Sequence, residues 1–197
     1  MNASVVLTVF VFVALAELPD KTMIATLIMG SRARPLFVWI GASLGFAVHV
    51  TLAVVAGHFL TLLPHRALEI IVTVIFTAGA LYLLIVPERS QAERGEREAE
   101  GLVPDPWWKV VTTAFTVIVI GEFGDLTQLL TVNFVAKYHQ PWSVFVGALA
   151  ALMTVSAIGA ASGRALVRVL PLGVIRRVGG IVLLGFAAYN LYSLVTS

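Results

Sequence analysis

Two short strings hold the residues able to do chemistry. They are ELPDKT at 17–22 and EFGDLT at 122–127, the second followed by Gln128. Each sets a Glu and an Asp three residues apart, with a Thr two further on. Residues three apart share one face of a helix. Each string therefore presents two carboxylates and a hydroxyl together: Glu17, Asp20 and Thr22 in one, Glu122, Asp125 and Thr127 in the other. With the Gln128 amide and freed backbone carbonyls, the ligand set is all oxygen. Such a set suits a hard divalent cation: calcium, manganese or magnesium. The chain has no cysteine and no cluster of histidines, which argues against zinc or copper. It has no histidine-rich metalloprotease motif and no serine or cysteine nucleophile arrangement. The chain is thus not expected to be an enzyme. No catalytic residue and no cofactor are expected, and the cation enters as a substrate to be carried.

The surroundings of these strings are apolar. Of 197 residues, 59% are hydrophobic and 12% charged, and the mean hydropathy is +0.95. A soluble domain of this size lacks the interior to hide that much apolar surface, whereas a bilayer solvates it directly. Six apolar segments can be drawn, at 4–30, 37–63, 68–86, 109–136, 142–170 and 173–195. Each is long enough to cross a hydrocarbon core of about 30 Å. Backbone groups in lipid must bond within their own segment, and the alternation of a β-barrel is absent. The expected fold is all-α and integral to the membrane, with six transmembrane helices. Trp39, Trp107, Trp108 and Trp142 lie near segment ends and read as interface anchors. The sequence is basic, with a pI near 9.2. Its basic residues are scattered at segment ends rather than gathered on a face, so no nucleic-acid partner is expected.

The chain also repeats itself. The two acidic strings are related by an offset of 105 residues. Gly41 and Gly45 recur as Gly147 and Ala151, Ala53 and Gly57 as Gly159 and Gly163, Pro64 as Pro171, and Tyr82 as Tyr189. Three segments per half send the second half into the membrane from the opposite side. The arrangement is an inverted repeat about a pseudo-two-fold axis in the membrane plane, with 1–87 as the first three-helix repeat, 88–106 as a charged flexible linker and 107–197 as the second. Small residues four apart let helices approach closely. Nine Lys and Arg residues fall in the odd-numbered loops: Arg32, Arg34, Arg89, Arg94, Arg97, Lys109, Arg168, Arg176 and Arg177. Only Arg66 and Lys137 fall on the other side. That asymmetry places the odd loops in the cytoplasm and both termini outside. The N-terminal residues lack the features of a signal or transit peptide. A multi-pass protein of the plasma membrane is expected.

Energetics tie the strings to the membrane. Each lies roughly 20 Å from the start of its segment, near the bilayer centre. Meeting at the axis, they would gather four carboxylates. Inserting four costs about 10–14 kcal/mol, and mutual repulsion adds to this. The site demands either protons or a cation. These exclude each other in part, which outlines a proton/cation exchange. Pro19 withdraws a donor and can free the Leu15 carbonyl, and Gly124 makes a local break cheaper. Lys21 can pair with Glu17 four residues before it. Leu126 stands at the matching position, so the motifs are electrically unequal. His49 reads as a satisfied or cavity-lining histidine, Asn133 and Asn190 as bonds between helices, and Glu69 as a helix-start carboxylate.

These two strings resemble the paired E-x-G-D-[KR]-[TS] motifs of the transmembrane protein 165 / Gdt family. The resemblance covers essentially the whole chain: two three-helix halves, one motif each, and a charged central loop. It implies a calcium/manganese–proton exchanger, the family having members in Golgi and chloroplast membranes and bacterial manganese exporters; a bacterial-type member is expected here. Carried over by motif, Glu17, Asp20, Thr22, Glu122, Asp125, Thr127 and Gln128 resemble the family's cation-site residues. Two positions depart from the pattern. Pro19 replaces the glycine of the first motif, and Leu126 replaces the base of the second.

The reading that follows is a secondary transporter exchanging a divalent cation, manganese or calcium, for protons, in the direction of export. The alternative is an exporter of small organic solutes such as amino acids, for which four central acids would be excessive. The expected partners are the cation, protons and the lipid bilayer; a homodimer is left open.

Overall fold

The computed structural model describes residues 1–18, 21–60, 62, 64–85, 106–122 and 125–169, with positions 177, 181, 184, 185, 187, 188, 191 and 192. Among these residues there is no strand. Among the described residues, seven helices can be bounded, in chain order: α1 (Ala3–Glu17), α2 (Lys21–Arg32), α3 (Pro35–Leu60), α4 (His65–Ile85), α5 (Trp107–Gly121), α6 (Leu126–Tyr138) and α7 (Pro141–Val169).

Local chemistry sets several ends. The Asn2 side chain caps α1 by accepting from the Ser4 amide at 3.0 Å. α3 and α7 each start on a proline, where the missing N–H costs no helical bond. His139 ends α6 with a left-handed backbone, φ 52°, and turns the chain into α7.

The helices are apolar on both faces. On α1, Val5, Val9 and Val13 are buried, yet Leu7 and Val11 are exposed. On α3, the outward Leu44, Val48, Leu52 and Val55 stand opposite the buried Ala42, Phe46, Val50 and Ala53. An outer surface of this kind faces lipid rather than water. α3 and α7 are each long and apolar enough to cross a membrane. The pairs α1–α2 and α5–α6 each qualify when taken together, bent by 72° and 69° at the break. The described residues thus hold two to four candidate spans.

Here the structure corrects a sequence expectation. The segments 4–30 and 109–136 are not continuous helices. Each is two helices meeting at an acidic motif, where Pro19 and Gly124 stand in the sequence. A missing donor and a residue without a Cβ are what make such a break affordable.

Packing follows the repeat. α3 lies against α5 and α6, and α7 lies against α1 and α2, so each long helix crosses the bent pair of the other half. The glycines mark the crossings. A Cβ on Gly41 would collide with the Val111 carbonyl and lie 2.8 Å from Ala114 Cβ. A Cβ on Gly147 would lie 2.6 Å from the Val6 carbonyl and 3.0 Å from Val9 Cβ. Val6 and Val9 match Val111 and Ala114 at the offset of 105, and Gly41 matches Gly147 at 106. One contact is therefore built twice. The linker apart from Pro106, with Pro171, Tyr189 and Asn190 and the side chains of Glu69 and Tyr82, lies outside the described residues, and Gly163 falls within α7.

Candidate cation site

The breaks put the acidic residues at helix ends. Glu17 is the last residue of α1, and Glu122 caps the C-terminus of α5. Asp125 is the N-cap of α6, and its amide bonds the Glu122 carbonyl at 3.1 Å. Glu122 and Asp125 meet across a break, not along one helical face as the spacing suggested. The C-terminal ends of α1 and α5 carry partial negative charge, which favours a cation there.

Three carboxylates converge. One oxygen each from Glu17, Glu122 and Asp125 lie within 4.8 Å of one another. Glu17 is 0% exposed and Glu122 3% exposed. Like charges that close in a dry site cannot all remain ionised without a compensating cation. Thr22, in the first turn of α2, donates its hydroxyl to Glu122 Oε1 and joins the two halves at this point. Asp20, the fourth acid, lies outside the described residues, as does the Lys21 side chain.

Beside the carboxylates is a small cavity of about 10 Å³, room for roughly one water-sized body. Glu122, Thr127 and Gln128 line it with His49 and Thr131, and Phe46, Val50, Ala53 and Leu152 complete its walls. His49 Nε2 lies 3.0 Å from the Val119 carbonyl, and Gln128 Nε2 lies 3.3 Å from His49 Nδ1. The cavity-lining reading of His49 holds in this geometry.

Thr26 and Thr131 were not singled out in the sequence. Both are buried, and each bonds the carbonyl four residues back: Thr26 to Thr22 at 2.9 Å and Thr131 to Thr127 at 2.7 Å. The signal was present. Extending the repeat by four residues, ELPDKTMIAT against EFGDLTQLLT, aligns the second threonine in both halves. Asn133 is fully buried, but neither of its amide atoms has a partner among the described residues. Trp39, read as an interface anchor, also donates its indole N–H to the Met153 carbonyl of α7 at 2.9 Å.

An all-helical chain, apolar on its outer faces and acidic at a buried centre, defines a multi-pass membrane protein with an internal polar site. More particularly, the chain belongs to the divalent cation/proton antiporter GDT1 family, whose profile matches residues 5–91 and 110–197. That family is one of transporters and not of enzymes. The chain is 27% identical to "GDT1-like protein sll0615" of Synechocystis sp., covering 70% of this chain and 72% of that one. It is 23% identical to "Protein PAM71, chloroplastic" of Arabidopsis thaliana, covering 95% of this chain and 56% of that one. No solved structure matches it.

Proposed function

We propose that this protein exchanges manganese or calcium for protons and exports the cation across a plasma membrane. Its six transmembrane helices form two inverted three-helix repeats, with the odd-numbered loops cytoplasmic and both termini outside. The observation that carries the reading is the convergence of Glu17, Glu122 and Asp125 oxygens within 4.8 Å inside an apolar bundle. Carboxylates so placed are stable when protonated or when holding a cation, and one state displaces the other. Asp20, Thr22, Thr127 and Gln128 complete an oxygen-rich ligand set suited to calcium or manganese. The twice-built glycine crossing supports the inverted repeat.

The site's size favours an ion over an organic solute. A cavity of about 10 Å³ accepts a bare cation or one water, and an amino acid needs many times that volume. The test is exchange in proteoliposomes. Glu122→Gln removes a charge but little volume, and it should abolish proton-coupled manganese and calcium flux. Full flux in that variant would sink the proposal.

A further inference from the structure

His49 stands in the middle of α3 and is 4% exposed. It touches both arms of the second break. On one side, Nε2 meets the Val119 carbonyl in the last turn of α5 at 3.0 Å. The last four carbonyls of a helix have no partner within it. Val119 supplies one of these, so Nε2 carries the proton and donates. On the other side, Nδ1 meets the Gln128 amide nitrogen in the first turn of α6 at 3.3 Å. A neutral imidazole has one donor and one acceptor. Both contacts call for the same tautomer.

The consequence falls on Gln128. Its amide nitrogen and oxygen share one planar carbon, so turning the nitrogen to His49 turns the oxygen away from it. Gln128, His49, Glu122 and Thr127 line the same cavity. The repeat supplies a second observation. At the offsets of 105 and 106, Gln128 corresponds to Met23 and His49 to Val155. Met23 and Val155 are both buried. At the first break, the matching positions, Met23 on one half and Val155 on the other, are both apolar, as expected of two residues that act as a unit.

We propose that His49 is a positioning residue for the cation site: it braces the two arms of the second break and fixes the Gln128 amide with its oxygen toward the cavity. One side of the site thereby offers a neutral carbonyl-type ligand that the other side lacks. The inference rests on the cation-exchange reading above and deepens it.

The experiment uses His49→Val, Gln128→Met and the two combined. The combination places at the second break the two residue types that occupy the matching buried positions, Met23 and Val155, at the first, which guards against simple misfolding. In proteoliposomes, each single variant should raise the KM for manganese or calcium about tenfold, and leave the maximal rate within about twofold. The double variant should be no worse than the worse single one, because the second change removes an interaction already lost. Additive effects, or a wild-type KM in either single variant, would overturn the proposal. Nitrogen NMR of protein labelled at histidine gives an independent reading. His49, assigned by its loss in His49→Val, should show a protonated Nε2 and an Nδ1 signal that moves in Gln128→Met. A protonated Nδ1 would refute the brace. If the wild-type protein carries no divalent cation, the exchange reading fails, while the nitrogen spectrum still decides the brace.

Discussion

Thr22 and Glu122 are 100 residues apart in sequence, and the hydroxyl of the first donates to Oε1 of the second. Each belongs to a different acidic motif, so this bond makes the two motifs one site. In the proposed cation site, Thr22 would hold the Glu122 carboxylate in place from the opposite half.

Replacing Thr22 by Val keeps the shape and removes the donor. A hydrogen bond to a charged group contributes about 1.5–3 kcal/mol. The variant should bind manganese or calcium roughly tenfold or more weakly. Titration of cation binding in the variant against the wild-type protein checks this. An unchanged affinity would show that the bond carries no functional energy.

Competition between protons and cation also has a sign. In the proposed exchange, the buried carboxylates of Glu17 and Glu122 give up protons when a cation binds. Lowering the pH on the cation-binding side should therefore raise the KM while leaving the rate at saturating cation less affected. Adding cation to lightly buffered protein should release protons. Glu17→Gln should shrink that release, because one fewer acid is present to surrender a proton. A pH electrode on purified protein is sufficient, and release that stays unchanged in the variant would argue against Glu17 as part of the exchange.

The membrane character and the acidic residues were legible in the sequence, for separable reasons. Hydropathy is a bulk property, and it survives any arrangement of helices. The carboxylates stood out because an apolar segment has few other reasons to hold them. The spacing rule misled on geometry. Three residues apart implies a shared face only if the helix runs through, and Glu122 and Asp125 instead sit on two helix ends. Pro19 and Gly124 hinted at a break, but breaking depends on what packs around the freed groups. For α5 that packing includes His49, some seventy residues upstream, and no local pattern announces it. Trp39 shows the same limit. Its position near a segment end fits an anchor, while its partner Met153 is on the other long helix.

The glycine crossings give a prediction about stability that is independent of transport. Gly41 and Gly147 occupy matching places where the long helix of one half meets the first arm of the other. An added methyl at Gly41 meets the Val111 backbone and Ala114, and at Gly147 it meets the Val6 backbone and Val9. Backbone cannot swing aside as a flexible side chain can, so the helices must separate. Overpacking of this kind costs about 1–3 kcal/mol. Gly41→Ala and Gly147→Ala should therefore each lower the melting temperature of the detergent-solubilised protein, by similar amounts. Gly185→Ala is the control, since among the described residues a Cβ there meets nothing within 4 Å. In a helix, alanine is preferred to glycine by about 1 kcal/mol, so that variant should melt at the same temperature or slightly higher. Separation at either crossing should also loosen the acidic centre, because Val111 and Ala114 lie on the arm that ends in Glu122, and Val6 and Val9 on the arm that ends in Glu17. Cation binding should weaken in both glycine variants and stay normal in the control. A glycine variant that melts lower yet binds the cation normally would show that the crossing stabilises the bundle without setting the site.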